Sequence, residues 1–145
     1  MRLSYGQVGE YLLAGQPSGY YTTAESIVTK MDKASQIIDY EAEPIMKELL
    51  SVKDFGKYTD KTTGKMHLCF LSNNDITGGN SGSPMFNGKG ELIGLAFDGN
   101  WDSLSSDIFF DKQLARCIGV DIRYVIYMME SWGKADRLLK EINAK

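Results

Sequence analysis

Apolar and polar positions change rhythm several times along the chain. Over residues 2–13, Tyr5, Val8, Tyr11 and Leu12 are spread among glycines, which predicts one or two short strands. Thr22-Thr23-Ala24-Glu25 reads as a capping box with Thr22 at the N-cap and Glu25 three residues on. It predicts a helix over 23–32 with Ile27, Val28 and Met31 on one face. A second helix is expected over 43–53, with Ile45, Met46, Leu49 and Leu50 as its apolar face. Pro44 sits in its first turn, where the missing N–H does no harm. Residues 54–65 are polar, carry Gly56 and Gly64, and read as a loop.

The middle of the chain is richer in β signals. Met66-His67-Leu68-Cys69-Phe70-Leu71 predicts a strand and residues 73–83 a Gly/Asn/Ser loop. Met85-Phe86 and residues 91–97 flank Asn87-Gly88-Lys89-Gly90, the pattern of a β-hairpin. Residues 106–110 predict a further strand. Then the period changes to that of a helix. Asp121 is placed as N-cap, and Ile122, Val125, Ile126 and Met129 follow at i, i+3, i+4, i+7, with Gly133 ending the helix. Ala135, Leu138, Leu139 and Ile142 repeat the stripe in a last helix, with Arg137 and Glu141 as an i,i+4 pair on its wet side. A helical tail over about 121–145 results, and its stripes are core packing. No internal repeat or low-complexity tract is present.

Composition narrows the function classes. At 145 residues and 43% apolar content, a single domain with a packed core is expected. Sixteen Lys+Arg against 19 Asp+Glu give a net charge of −3, which argues against broad nucleic-acid binding. No apolar run approaches the length of a membrane span. Met1-Arg2 leads into Leu3-Ser4-Tyr5-Gly6 without the apolar core of a signal peptide, although a removed leader would leave an exported chain with this same sequence. Cys69 and Cys117 lack any Cys/His spacing typical of a metal site, so neither a metal nor a cofactor is expected. They read as two buried thiols, with one disulfide left open as an alternative.

The chemistry concentrates in Thr77-Gly78-Gly79-Asn80-Ser81-Gly82-Ser83-Pro84. A hydroxyl nucleophile needs a sharp turn that exposes its side chain and aims backbone N–H groups at the developing oxyanion. Gly79 and Gly82 permit such a backbone. Ser81 is then the candidate nucleophile, and the amides of Gly79 and Ser81 the candidate oxyanion hole. The plain alternative is a polar surface turn before a hairpin.

Gly-Asn-Ser-Gly-Ser-Pro resembles the nucleophile motif of chymotrypsin-fold serine proteases, in the form also used by glutamyl endopeptidases. Together with Ala96-Phe97-Asp98-Gly99-Asn100-Trp101, Ser106-Asp107-Ile108, Val120-Asp121-Ile122-Arg123-Tyr124-Val125 and Gly19-Tyr20-Tyr21-Thr22-Thr23, the chain is similar over its whole length to the bacterial dipeptidyl-peptidases 7 and 11. That resemblance implies an exopeptidase releasing dipeptides from oligopeptides with free N-termini. It implies a double chymotrypsin-type β-barrel with an inserted helical domain, export to the periplasm or cell envelope, and a homodimer. Ser81 matches the nucleophile and Asp98 the residue that helps hold the substrate's N-terminal ammonium. Gly99 matches the position deciding primary specificity. An Arg there accompanies acidic side chains and a Gly accompanies aliphatic or aromatic ones, so type 7 is implied.

Half of the catalytic machinery is missing from the sequence. A serine nucleophile needs a base, usually a histidine oriented by a carboxylate. The one histidine, His67, falls on a predicted strand fourteen residues before Ser81, whereas the fold's order puts His and Asp on the preceding barrel. His67 therefore reads as a half-exposed strand residue and not as the base. Asp75, Asp102, Asp107 and Asp111 read as turn or capping residues. Two six-stranded barrels need about twelve strands, and only six or seven can be found. The fold expected is mainly β with flanking helices: one six-stranded antiparallel barrel of trypsin/chymotrypsin type, followed by a helical pair. It carries nucleophile, oxyanion hole and pocket wall, requires the N-terminal barrel of its parent, and is inactive alone. The competing reading is a non-catalytic single-barrel binding module.

Overall fold

The computed structural model describes residues 3–33, 37–106 and 108–142. It divides into two compact units, Met1–Tyr21 with Cys69–Ile122, and Thr22–Leu68 with Arg123–Lys145. Seven strands occur among the described residues: β1 Leu12–Leu13, β2 Gln16–Pro17, β3 Tyr21–Thr23, β4 His67–Ser72, β5 Pro84–Phe86, β6 Leu92–Gly99 and β7 Cys117–Asp121. β1 and β2 form a ribbon of their own, and the other five form one sheet in the order β3-β4-β7-β6-β5. The β4–β7, β7–β6 and β6–β5 pairs are antiparallel.

The first unit begins with less strand than its sequence predicts. Val8 makes an isolated antiparallel bridge to Ser72, and the Gly9 amide donates to the Leu71 carbonyl at 3.0 Å. The β1–β2 turn places Ala14 and Gly15 at φ of 50° and 79°, the two left-handed residues of a tight hairpin turn. The predicted hairpin over β5 and β6 is present. Asn87 organises its turn, its Oδ1 accepting from the amides of Lys89 and Glu91 at 2.9 and 3.0 Å.

Sterics dictate how the main sheet packs. Phe70 on β4 lies opposite Gly119 on β7, which in turn faces Ala96 on β6. A Cβ on Gly119 would come within 2.7 Å of both the Phe70 ring and the Met85 sulfur. One on Gly94 would meet the same ring at 2.7 Å. The two glycines thus leave a slot that the buried Phe70 ring fills. Cys117, fully buried on β7, and Cys69 on β4 are thiols and not a disulfide. Burial pushes the Cys117 thiol pKa up.

Two strand predictions need correction. Residues 106–110 form no strand among the described residues, and Asp107 lies outside them. The preceding residues Trp101–Ser105 are a 3-10 helix instead. The amide of Ser106 donates to Ser103, and those of Ile108 and Phe109 to Ser105, so local turns consume the donors a ladder would need. Conversely, β7 was not foreseen, although it is central in the sheet. The sheet therefore has five strands where a six-stranded barrel was expected.

The second unit holds four helices: α1 Ala24–Met31, α2 Pro44–Leu50, α3 Ile122–Ser131 and α4 Asp136–Glu141. The α1 capping box sits one residue later than predicted. Thr23 is the N-cap, its hydroxyl accepting from the Ser26 amide at 3.3 Å while Ser26 Oγ accepts from the Thr23 amide at 3.1 Å. Glu25, assigned to the box by sequence, instead pairs with Lys65 at 3.2 Å. α2 is shorter than 43–53, because Ser51 turns back and donates through Oγ to the Lys47 carbonyl at 2.6 Å. After α3, Gly133 is needed for space, since a Cβ would lie 3.2 Å from the Met129 carbonyl oxygen. The left-handed residue is Lys134, at φ 46°. Arg137 and Glu141 pair as expected, at 3.8 Å. Tyr127 of α3 is buried, stacks edge-on against Phe55 and Tyr58, and donates to the Leu49 carbonyl at 2.7 Å. Tyr58 donates to Glu130.

A polar network tethers the loop before β4. Asp60 accepts from Arg123 at 2.8 Å and from the amides of Thr62 and Thr63 at 3.0 and 2.9 Å. The Thr63 hydroxyl also reaches His67 Nε2 at 2.7 Å. His67 is buried, not half-exposed as its sequence position suggested. Among the described residues, no helix is long and apolar enough to cross a membrane, and no group of three or more His, Cys, Asp or Glu could hold a metal ion.

Two stability predictions follow from this packing. Gly119→Ala overfills the Phe70 slot and should cost about 1–3 kcal/mol, read as a lower urea midpoint at unchanged m. Gly88→Ala, where nothing lies near the new Cβ, serves as the control. The Arg123 guanidinium holds the Asp60 carboxyl well below the usual carboxylate range. A carboxyl whose pKa is depressed on folding stabilises above its unfolded value, and that contribution is lost as pH falls toward the folded value. Asp60→Asn should therefore lower stability by about 1–2 kcal/mol at pH 7. The gap to the wild type should close below about pH 4, as measured by thermal unfolding across pH.

Candidate active site

Ser81 lies on the loop between β4 and β5, and this loop is fastened to β6 directly after it. The Gly82 amide donates to the Ala96 carbonyl at 2.7 Å, and the Ala96 amide donates to the Ser83 carbonyl at 2.8 Å. Ser81 Oγ itself donates to the Phe97 carbonyl at 3.3 Å. Within the loop, Asn80 Oδ1 accepts from the Thr77 amide at 2.9 Å, and the Asn80 carbonyl accepts from the Ser83 amide at 2.9 Å. Gly79 and Gly82 have φ of +94° and +84°, backbone that a side chain would strain, as their flanking positions suggested. The Ser81 side chain is exposed, and neither its amide nor that of Gly79 donates to a protein acceptor among the described residues.

Facing this loop, β6 departs from regular pairing. Ala96 opposes Gly119 and Asp98 opposes Ile118, so two steps on β6 match one step on β7. Phe97 is the extra residue of a β-bulge. The strand alternates up to buried Ala96, and then Phe97 and Asp98 are exposed in succession. Bulges re-aim side chains, and this one turns Asp98 toward the loop that carries Ser81. One pocket of about 200 Å³ is lined by Ser81, Asp98 and Gly99 together with Thr77, Phe97 and Ser103. Asp98 Oδ1 accepts from the Gly99 amide at 2.8 Å, the turn-capping bond that sequence left open as its alternative role. Its second oxygen makes no hydrogen bond among the described residues.

The pocket wall beyond Gly99 is held by a residue the sequence reading passed over. Asn100 donates through its amide to the Arg116 carbonyl at 2.9 Å and through Nδ2 to the Leu114 carbonyl at 2.9 Å. Its Oδ1 accepts from the Arg116 amide at 2.8 Å. Its carbonyl accepts from the Ser103 amide at 2.9 Å and from Ser103 Oγ at 2.6 Å. An Asn followed by a Ser three residues later is a local side-chain-to-backbone signature that could have flagged this turn. Arg116 is buried with no carboxylate partner among the described residues, and it donates to the carbonyls of Glu10, Lys112 and Ala115.

The remaining candidates have structural duties. His67 belongs to the Thr63–Asp60–Arg123 network of the other unit. Asp111 closes its own turn, its Oδ1 accepting from the Gln113 amide at 2.8 Å. Asp102 receives a long hydrogen bond from Asn100 Nδ2 at 3.4 Å.

An exposed serine between two left-handed glycines, with two unengaged amides beside it and a small pocket alongside, is the arrangement of a hydroxyl-nucleophile loop. The sequence matches the Peptidase S46 family over residues 1–144, and the chain belongs to that family. It is 51% identical over 144 residues to a dipeptidyl-peptidase 7 of Porphyromonas endodontalis, covering 99% of this chain and 17% of that protein. It is 40% identical to an Asp/Glu-specific dipeptidyl-peptidase of Porphyromonas gingivalis, covering 99% of this chain and 20% of that protein. The crystal structure of Porphyromonas endodontalis DPP11 in complex with the dipeptide Arg-Glu superposes with a TM-score of 0.87 at 34% identity. That match covers 97% of this chain and 20% of the crystallised one. The chain thus spans about a fifth of the length of these relatives.

Proposed function

We propose that this chain is the nucleophile-bearing part of a serine dipeptidyl-peptidase that releases dipeptides from oligopeptides with free N-termini. The observation that carries the reading is the shared pocket of Ser81, Asp98 and Gly99, with the Gly79 and Ser81 amides unengaged beside it. Ser81 Oγ adds to the carbonyl carbon of the substrate's second residue, and its proton passes to a histidine base. The amides of Gly79 and Ser81 donate to the oxyanion that forms. The C–N bond then breaks as the base returns the proton to the leaving amine. Water hydrolyses the ester, freeing the dipeptide and restoring Ser81.

The base and its orienting carboxylate come from the longer parent, in a first barrel of chymotrypsin type against which this sheet completes a second. In this reading His67 is not that base but a buried strand residue whose Nε2 lies 2.7 Å from the Thr63 hydroxyl. Asp98 receives the α-ammonium on the oxygen that Gly99 leaves unoccupied, which fixes the distance from N-terminus to nucleophile at two residues. Gly99 adds no side chain to the wall, so the pocket takes aliphatic or aromatic second residues. The relatives divide in just this respect, some being dipeptidyl-peptidases 7 and others Asp/Glu-specific, and the higher identities are to the former. As the family resemblance implies, the parent works as an exported, periplasmic or envelope-bound homodimer.

Two experiments on the full-length protein check this reading. Asp98→Ala should lower kcat/KM by about 10- to 150-fold, the equivalent of one charged hydrogen bond. Acetylating the substrate's N-terminus should abolish most cleavage by the wild type and add little to the mutant's loss. Independent effects of mutation and acetyl group would show that Asp98 acts through the fold. His67→Gln should leave kcat/KM within a few-fold, and a loss of about 10³ or more would identify His67 as the base after all.

A further inference from the structure

We propose that Ser103 is a specificity-determining residue that acts as a pair with Gly99. The inference rests on the reading of Gly99 as part of the substrate pocket and adds a second position to it. Ser103 lines the same pocket as Ser81, Asp98 and Gly99. A Cβ built on Gly99 would fall on Ser103 Oγ, far inside contact distance, and would lie 3.2 Å from Ser103 Cβ. The space beside Gly99 is therefore already taken by the Ser103 hydroxyl.

Ser103 cannot step aside easily. Both its amide and its hydroxyl donate to the Asn100 carbonyl, at 2.9 and 2.6 Å, and Asn100 is tied by three hydrogen bonds to Leu114 and Arg116. Any side chain at 99 must break the Ser103–Asn100 bond or shift the 3-10 helix Trp101–Ser105. Residue 103 thus sets whether position 99 can carry a side chain at all, and its hydroxyl forms part of the wall that the substrate's second residue meets. A change of specificity made at 99 alone meets a steric conflict that a matching change at 103 relieves.

The test compares kcat/KM for dipeptide release with Phe or Ala as the second residue, in the full-length protein. The variants are Gly99→Ala, Ser103→Gly and the double mutant, with Ser103→Ala as a milder change that keeps the Cβ and with thermal unfolding of each. Gly99→Ala alone should lower kcat/KM for the Phe substrate at least 10-fold, and in the Ser103→Gly background it should cost less than 3-fold. Ser103→Gly alone should change the Phe/Ala ratio at least 3-fold, and Ser103→Ala should change it in the same direction. The same cost of Gly99→Ala in both backgrounds, or an unchanged Phe/Ala ratio in both Ser103 variants, overturns the pairing while leaving the Gly99 pocket in place. If Gly99→Ala in the otherwise wild-type protein leaves kcat/KM for both substrates unchanged, or if dipeptide release survives Ser81→Ala, the underlying reading fails and takes this proposal with it.

Discussion

The Phe70 ring wedged between strand glycines is the contact on which the first unit depends. Gly94 and Gly119 supply no side chains, so the ring of a residue on β4 can pack close against β6 and β7. That fixes how β6 and β7 pair, and β6 is the strand that carries Ala96, the Phe97 bulge, Asp98 and Gly99. Interiors are packed closely enough that displacement of one such ring is transmitted to its neighbours. The pocket wall is thus set by an aromatic residue that does not itself line the pocket.

From that fixed strand the serine loop takes its position. Backbone hydrogen bonds at Gly82 and Ser83, directly after Ser81, reach Ala96, so the loop follows β6 and is not held by its own turn alone. A donor pair aimed at an anion is effective only if it is held in place before the charge appears. The left-handed backbone at Gly79 and Gly82 fixes the amides beside Ser81 locally, and the β6 bonds hold the loop as a whole. On the opposite wall, Asn100 does the same for the residues after Gly99. The first wall is ordered by main-chain contacts and the second by the Asn100 and Ser103 side chains, while one oxygen of Asp98 is left without a hydrogen bond among the described residues.

Much of this was legible in the sequence where chemistry is local. The Gly-Asn-Ser-Gly-Ser-Pro turn, the β5–β6 hairpin, the helix beginning at Pro44 and the α3 stripe all depend on neighbours a few residues apart. What escaped depends on partners far along the chain. Cys117-Ile118-Gly119-Val120-Asp121 is short and interrupted by a glycine, and only its place between β4 and β6 makes it a central strand. Ile108, Phe109 and Phe110 have a strand's composition, yet their segment is taken up by turns anchored at Ser103 and Ser105. The capping box slid by one residue because Ser26 could serve as well as Glu25. His67 looked half-exposed because strand alternation cannot anticipate a loop folding over it. The contact between Gly99 and Ser103 has no sequence signature, since it arises from the path of a 3-10 turn.

The bulge at Phe97 sets different rules for changes of identity and changes of length in this strand. The exposed side chains at 97 and 98 can be exchanged while the main chain keeps its path. A deletion there would remove the extra residue and restore plain alternation. Asp98 would stay opposite Ile118 and on its present face, and what would be lost is the local bend that the extra residue puts into the strand. The bulge therefore shapes the strand beside the pocket without setting the register of the residues that follow it.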